Sequence, residues 1–256
     1  MARVCDDYFA EDRVVSHEDV ELIDLVPVTE STGKVVYQQL EAAVAKTGVP
    51  RAIISDNGSD LHCGIGLFRE VHPTTAWLYD IKHKTACVLK HALEHDISWQ
   101  TFVEKVHRFK QQVSLTPLAC LAPPAQRSKA RYMNVDVLVE WANRSLTLLD
   151  RRKAMAAAGL KASSVEKKLG WLRQFAPQVR RWGEMLAVIG TTEHYVRHQG
   201  IHSKATVETA MSQVTNHAVW NWCRSHLGPT VQSLRRRISQ ALYPEQKQTP
   251  LLLKSG

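Results

Sequence analysis

Apolar and polar positions follow two rhythms along this chain. From Asp19 to Asp80 short β-rich runs alternate with segments of helical spacing, and beyond Ile97 the helical rhythm alone remains. Residues 1–18 are polar and acidic around brief apolar pairs, and read as disordered. Asp19 to Val28 is β-rich, with Pro27 stopping the run or confining it to an edge. Thr29 to Gly33 turns the chain into a helix whose Val35, Val36, Leu40, Ala43 and Val44 share a face, and which ends at Gly48. Ala52 to Ile54 is a second strand, broken by the Asn57-Gly58 turn; Ser59 or Asp60 is expected to cap a helix over Leu61–Val71. Pro73 ends that helix, and Thr74 to Tyr79 is a third strand stopping at Asp80. Strands alternating with helices predict an α/β unit.

The helix from Lys82 to Asp96 has two distinct sides when each residue is turned by the α-helical angle. Ala86, Leu89, Leu93 and Ile97 are expected in the core, while His83, Cys87, His91 and His95 run at four-residue intervals along another side. Such spacing can chelate a metal, but no closed set such as CxxC together with HxxxH is present, and the stripe reads as a half-solvated polar face. Amphipathic helices then follow over 97–113, 134–149, 163–188, 191–199, 204–226 and 231–242. The predicted organisation is a disordered segment 1–18, an α/β core 19–96, a basic all-helical domain 97–242 and a disordered tail 243–256.

Composition narrows the class. An apolar content of 44% over 256 residues is that of a folded globular chain, no run approaches a membrane span, and the first residues carry no signal-peptide pattern, so the expected compartment is the cytoplasm. Five cysteines without a CxxC pair fit reduced thiols. The net charge of +8 is unevenly spread. Residues 1–120 hold 12 Lys and Arg against 17 Asp and Glu, whereas residues 121–256 hold 21 against 8. An acidic half beside a strongly basic one suits metal-binding carboxylates next to a surface that holds a polyanion. Within the basic half, Arg127, Lys129 and Arg131 alternate in a proline-started loop, a pattern that throws three cations to one side of an extended segment and suits a phosphate backbone; an ordinary exposed linker is the competing reading.

The strand, carboxylate and turn at Ile53-Ile-Ser-Asp56-Asn-Gly-Ser-Asp60 place Asp56 at the carboxyl edge of a sheet, where open α/β sheets keep their sites; the plainer role is to close the turn. Together with Gly64-Ile-Gly-Leu-Phe68, His72-Pro73 and Tyr79-Asp80-Ile-Lys-His83, this segment resembles the bacterial DDE-type, RNase H-like transposases that carry a helical insertion in the catalytic core. The resemblance spans about residues 19–240. It implies a partial RNase H-like mixed sheet with flanking helices, followed by a large all-helical domain. It also implies carboxylates that hold two Mg²⁺ or Mn²⁺ ions for DNA strand cleavage and transfer, with DNA as partner, no membrane, and a second copy of the chain as an open possibility.

On that pattern Asp56 matches the second carboxylate and a metal ligand, and Asp80 with His83 matches the accessory pair, Asp80 being the other metal ligand. Glu193 or Glu208 would be the third acid. Two parts of the pattern are missing: a hairpin bearing the first carboxylate and an N-terminal helix-turn-helix. The chain therefore reads as a truncated transposase, DNA-binding and inactive alone. A non-catalytic nucleic-acid-binding module and an unrelated metal-dependent hydrolase built on Asp56, Asp80 and the histidine stripe are the alternatives.

Overall fold

The computed structural model describes residues 1–5, 16–125, 135–198, 210–212 and 214–242. The chain divides into two compact units. One is Met1–Asp80 joined by the segment from Thr230 onward; the other is Ile81–Pro229. The expected division after Asp96 thus moves to Asp80, because Leu89 and Leu93 of the helix that follows are buried in the core of the second unit.

In the first unit, β1 (Ala2–Arg3) pairs antiparallel with β2 (Glu21–Leu22), and Arg3 Nε donates to Glu21 Oε2 at 2.9 Å across the pair. Ser16 and Asp19 close a reciprocal capping box around the short 3-10 turn His17–Asp19, so the described part of the segment expected as disordered has defined structure. The strand expected over Asp19–Val28 contracts to two residues. Leu25, Val26 and Val28 are exposed, which leaves them no buried face to pack. Helix α1 (Gly33–Thr47) starts at Thr32, whose hydroxyl accepts from Val35 N–H, and stops at Gly48, where φ is +78°.

Next come β3 (Ala52–Ser55), α2 (Ser59–Val71) and β4 (Ala76–Tyr79). Ser59 and Asp60 do not cap α2: Gly58 takes the cap position, and both residues lie in the first turn. Among the described residues β3 pairs with β4 alone, so β3 is not the central strand of a larger sheet. Ile54 is accordingly 70% exposed, which a parallel sheet covered on both faces would not allow. Helices α1 and α2 pack through small residues, with Gly64 against Gly33 and Val36, and bury Ile65, Phe68 and Val36.

The second unit is helical throughout its described residues: α3 (Ile81–Leu93), α4 (Ile97–Val113), α5 (Val135–Leu149), α6 (Arg152–Ala157), α7 (Ala162–Leu169), α8 (Ala176–His198) and α9 (His217–Trp222), which runs into a π-helical turn, Cys223–Leu227. Trp99, Phe102, Val106, Phe109 and Val113 recur at helical spacing on α4 and are buried, Trp99 and Phe102 against Trp182, Phe102 also against Phe175, and Phe109 against Trp141 and Trp171. Full burial of each such side chain contributes about 1.5–3 kcal/mol. Ile97, expected in the core as the continuation of α3, is exposed instead, since α3 stops at Leu93 and Ile97 opens α4.

The helices expected over 163–188 and 191–199 are divided differently. A 3-10 segment, Gly170–Phe175, separates α7 from α8, and α8 runs unbroken past Gly190 because Val188, Ile189 and Thr192 are all buried. A break falls instead at Asn216, which caps α9 while its own N–H donates to Glu184. The last helix, Gly228–Leu242, carries the chain from Thr230 on into the first unit. The described residues are thus mostly helical, with one small parallel pair and one antiparallel pair of strands among them.

Candidate functional site

Parallel pairing of β3 and β4 runs in register from Ala52 opposite Ala76 to Ser55 opposite Tyr79. The next residue of each strand is an aspartate. Asp80 N–H donates to Ser55 O at 2.9 Å, so Asp56 and Asp80 leave the sheet side by side at its carboxyl edge. Trp77 fixes this end: its indole N–H donates to Ser55 Oγ at 3.0 Å, and the Ser55 hydroxyl donates to Asp56 O at 2.8 Å. Asp56 is exposed, and its Oδ1 accepts from Gly58 N–H at 3.1 Å, the hydrogen bond that closes the turn.

A third carboxylate joins this edge from the first turn of α2. Asp60 accepts from the Ser31 hydroxyl, which, followed by the Leu61 peptide N–H, holds its carboxyl below the usual carboxylate range. A Cβ at Gly58 would stand 2.9 Å from Asp60 Oδ1 and 3.4 Å from Asp56 Oδ1, so both oxygens crowd the one position where the chain has no side chain. Sequence reasoning gave Asp60 a capping role; the signal for the other was the four-residue spacing of the two aspartates across a tight turn. Arg237, on the last helix, lies with its guanidinium 4.3 Å from the Tyr79 ring centroid and 5.9 Å from that of Trp77.

The donor set at this edge is made of carboxylate oxygens, the kind Mg²⁺ and Mn²⁺ take. Magnesium keeps several waters and is commonly held by one or two carboxylates, so two aspartates on adjacent strand ends are the donor type that one such ion takes. They do not supply the charge that two ions about 3.5–4 Å apart would require, and Asp60 is engaged with Ser31. Of the other expected site residues, His83 is half-buried on α3 of the second unit. Glu193 on α8 accepts from the hydroxyl of Thr85, itself fully buried on α3, so its carboxylate serves to tie two helices of the second unit. Glu208 and the loop residues Arg127, Lys129 and Arg131 lie outside the described residues.

Basic chemistry is gathered in the second unit. Ile81–Pro229 holds 22 Lys and Arg against 10 Asp and Glu, while the rest of the chain holds 11 against 15. The charge division therefore follows the two compact units. Arg151, Arg152 and Lys153, all exposed, line an open groove of about 690 Å³ with Leu149, Asp150, Ala154 and Arg173. Arg173 is already neutralised there, since it pairs with Asp150 and Glu166; the three consecutive cations are the groove's unbalanced charge. Among the described residues no helix is long and apolar enough to cross a membrane. Comparison of the chain with protein-family models, curated proteins and solved structures finds no match in any of the three.

Proposed function

We propose that this chain is a transposase-derived DNA-binding protein that keeps part of a DDE-type carboxylate site and does not cleave or join DNA by itself. The observation that carries the reading is the juxtaposition of Asp56 and Asp80 at the carboxyl edge of two parallel strands, pinned by the Asp80 N–H to Ser55 O hydrogen bond. Brought to one edge, the two carboxylates would hold one Mg²⁺ or Mn²⁺ ion, which when bound offsets phosphate charge. The chain's own residues do the rest. Ser55 and Trp77 hold the strand end, Arg237 keeps a cation over Tyr79, and the second unit supplies the positive surface that duplex phosphates require. Strand transfer needs more carboxylate charge than this edge provides, which is why the chain is proposed to bind without cutting.

One observation favours the competing, non-catalytic module: the Asp56 carboxylate is already used to close the turn on Gly58 N–H. A single experiment separates the readings. The full chain is incubated with supercoiled plasmid in Mn²⁺ while binding to a labelled duplex is followed as salt rises from about 50 to 200 mM. The expected result is salt-sensitive binding, with log K falling by about 0.9 per phosphate contact, and an intact plasmid. Absence of duplex binding at the low-salt end would remove the nucleic-acid reading. Nicking that disappears in Asp56→Ala would overturn the inactive reading and establish a complete site. Metal-dependent protection of the Asp56 segment, lost in Asp80→Asn, would separate the partial site from the plain turn.

A further inference from the structure

The second unit holds a group of side chains that the proposed function does not use. At the end of α3 the chain makes a two-residue turn, Glu94-His95, before Asp96 opens α4. This turn is held at both ends. Leu89 and Leu93 anchor α3 in the core, and Asp96 accepts from Ser98 and Trp99 N–H at 2.9 and 3.3 Å while its other oxygen is held by Arg181. The backbone between them is satisfied as well: Glu94 N–H donates to Lys90 O at 2.8 Å, Asp96 N–H to Leu93 O at 3.1 Å, and the Gln100 side chain to Glu94 O at 2.7 Å. A turn fixed in this way sets where its side chains start, while the rings of His91 and His95 remain exposed and accessible to a ligand from solvent.

That geometry is a ligand cluster. His91 Nδ1 lies 3.7 Å and His95 Nε2 3.6 Å from the same carboxylate oxygen, Glu94 Oε1, and one donor atom from each of the three residues falls within 4.8 Å of the others. Donors bound at about 2.0–2.2 Å to one tetrahedral ion lie about 3.4 Å apart, so each histidine–carboxylate pair is within a few tenths of an ångström of coordination distance, and small rotations of the exposed rings would close the rest. The other carboxylate oxygen, Oε2, is 3.9 Å from Lys90 Nζ, an i,i+4 contact that keeps Glu94 turned toward the two rings.

A third imidazole stands beside them. The His226 ring centroid is 6.1 Å from that of His91, the same spacing as between His91 and His95. His226 belongs to the π-helical turn Cys223–Leu227, whose Cys223 and Leu227 are fully buried, and its Nδ1 is 3.3 Å from Trp222 O. A neutral ring that donates Nδ1–H to that carbonyl carries its lone pair on Nε2, the arrangement that outer hydrogen bonds give metal-bound histidines. π-helical turns recur at functional sites.

We propose that His91, Glu94 and His95, with His226 as fourth ligand, form a binding site for a divalent transition-metal ion of the zinc class. Two or three imidazoles with one carboxylate select zinc, cobalt, nickel or copper over magnesium and calcium, which take oxygen donors. The site is therefore chemically distinct from the Asp56–Asp80 edge, and it stands or falls independently of DNA binding. The sequence alone favoured a solvated stripe of His83, Cys87, His91 and His95. Termination of α3 at Leu93 changes that, because the turn at Glu94 brings His95 to the same carboxylate oxygen that His91 faces from the last helical turn.

The test is calorimetric titration of the full chain with Zn²⁺ at pH 7 and at pH 5.5, repeated with Mg²⁺. Variants are His95→Ala, Glu94→Gln and His226→Ala, with His107→Ala and Cys87→Ser as controls and metal-free melting to confirm that each folds. The expected result is one Zn²⁺ per chain at pH 7, weakened more than about tenfold by His95→Ala or Glu94→Gln and measurably by His226→Ala. Both controls should leave it unchanged, proton competition should weaken binding at the acid pH, and Mg²⁺ should not compete. Zinc binding that survives His95→Ala, or that follows Cys87→Ser instead, would overturn the site. An unchanged affinity in His226→Ala would remove the fourth ligand. A cluster that serves only to close the turn would show no zinc binding at pH 7.

Discussion

Replacing Gly64 by Ala tests whether α1 and α2 truly pack through bare backbone. A Cβ on Gly64 would stand 2.5 Å from Val36 Cβ and 2.7 Å from Gly33 O, where carbon contacts settle at about 3.5–4.0 Å. Neither neighbour can rotate aside, because one is the first side-chain carbon of a β-branched residue and the other a peptide oxygen. Helix α2 must therefore retreat by about 1 Å, loosening Ile65 and Phe68, which are now 1% and 0% exposed. Overpacking of this kind costs about 1–3 kcal/mol, and the immobile neighbours put Gly64 near the upper end; the helix preference of Ala over Gly returns about 1 kcal/mol. The net expectation is a loss of about 1–2 kcal/mol.

Gly66, on the same helix, has nothing within 4 Å of an added Cβ. Gly66→Ala should therefore stabilise by about 0.5–1 kcal/mol, so two chemically identical substitutions two residues apart should have opposite signs. Native-state hydrogen exchange read on peptides from Gly33–Thr47 and Ser59–Val71 isolates the first unit from the second. Protection there should fall about 5- to 30-fold in Gly64→Ala and rise in Gly66→Ala. If both variants raised protection alike, the close approach of α1 and α2 would be wrong, and with it the placement of the turn bearing Asp56.

Two further outcomes are expected from the second unit and its carboxylates. Burial pushes the Cys223 thiol up to about 11, so under native conditions at pH 8 a thiol reagent should label the exposed Cys63, Cys87 and Cys120 quickly and reach Cys223 only when the second unit opens; fast labelling of Cys223, read by peptide mass, would contradict its burial. Glu184 is held below the ordinary carboxylate range, first by the Thr215 hydroxyl and then by the peptide N–H groups of Asn216 and Thr215. A carboxylate whose folded pKa lies below its unfolded one contributes stability that is complete above the ordinary value and lost as pH falls through the folded one. Thermal melts of Glu184→Gln should therefore show a flatter decline than the parent on the acid side of that range, and equal slopes would remove Glu184 as an anchor of the turn before α9.

Local pattern determined much of this molecule. Gly48 and Pro50 bracket the entry to β3, the apolar run Ala52–Ile54 is a strand, and the helical rhythm of Trp99, Phe102, Val106, Phe109 and Val113 matches the buried face of α4. These are short-range properties: steric punctuation and a repeat of apolar positions suffice to state them. What the pattern could not supply is which segments find partners. Asp19–Val28 has strand composition but only two residues pair, and Gly190 looks like a break yet lies inside a helix that buried neighbours carry through.

The candidate sites divide the same way. Asp56 and Asp80 could each be placed at a strand end from the sequence, but their adjacency depends on parallel pairing of β3 with β4, a contact between segments more than twenty residues apart. Tertiary structure alone decided that Ser31 reaches Asp60, that Arg237 returns from the last helix to Tyr79, and that Glu193 is spent on Thr85. It also gathered His91, Glu94, His95 and His226 from the end of one helix, a turn and a π-helical turn. A sequence specifies donors and acceptors one at a time. Which of them meet is set by the packing of the buried faces, and that is a property of the whole folded unit.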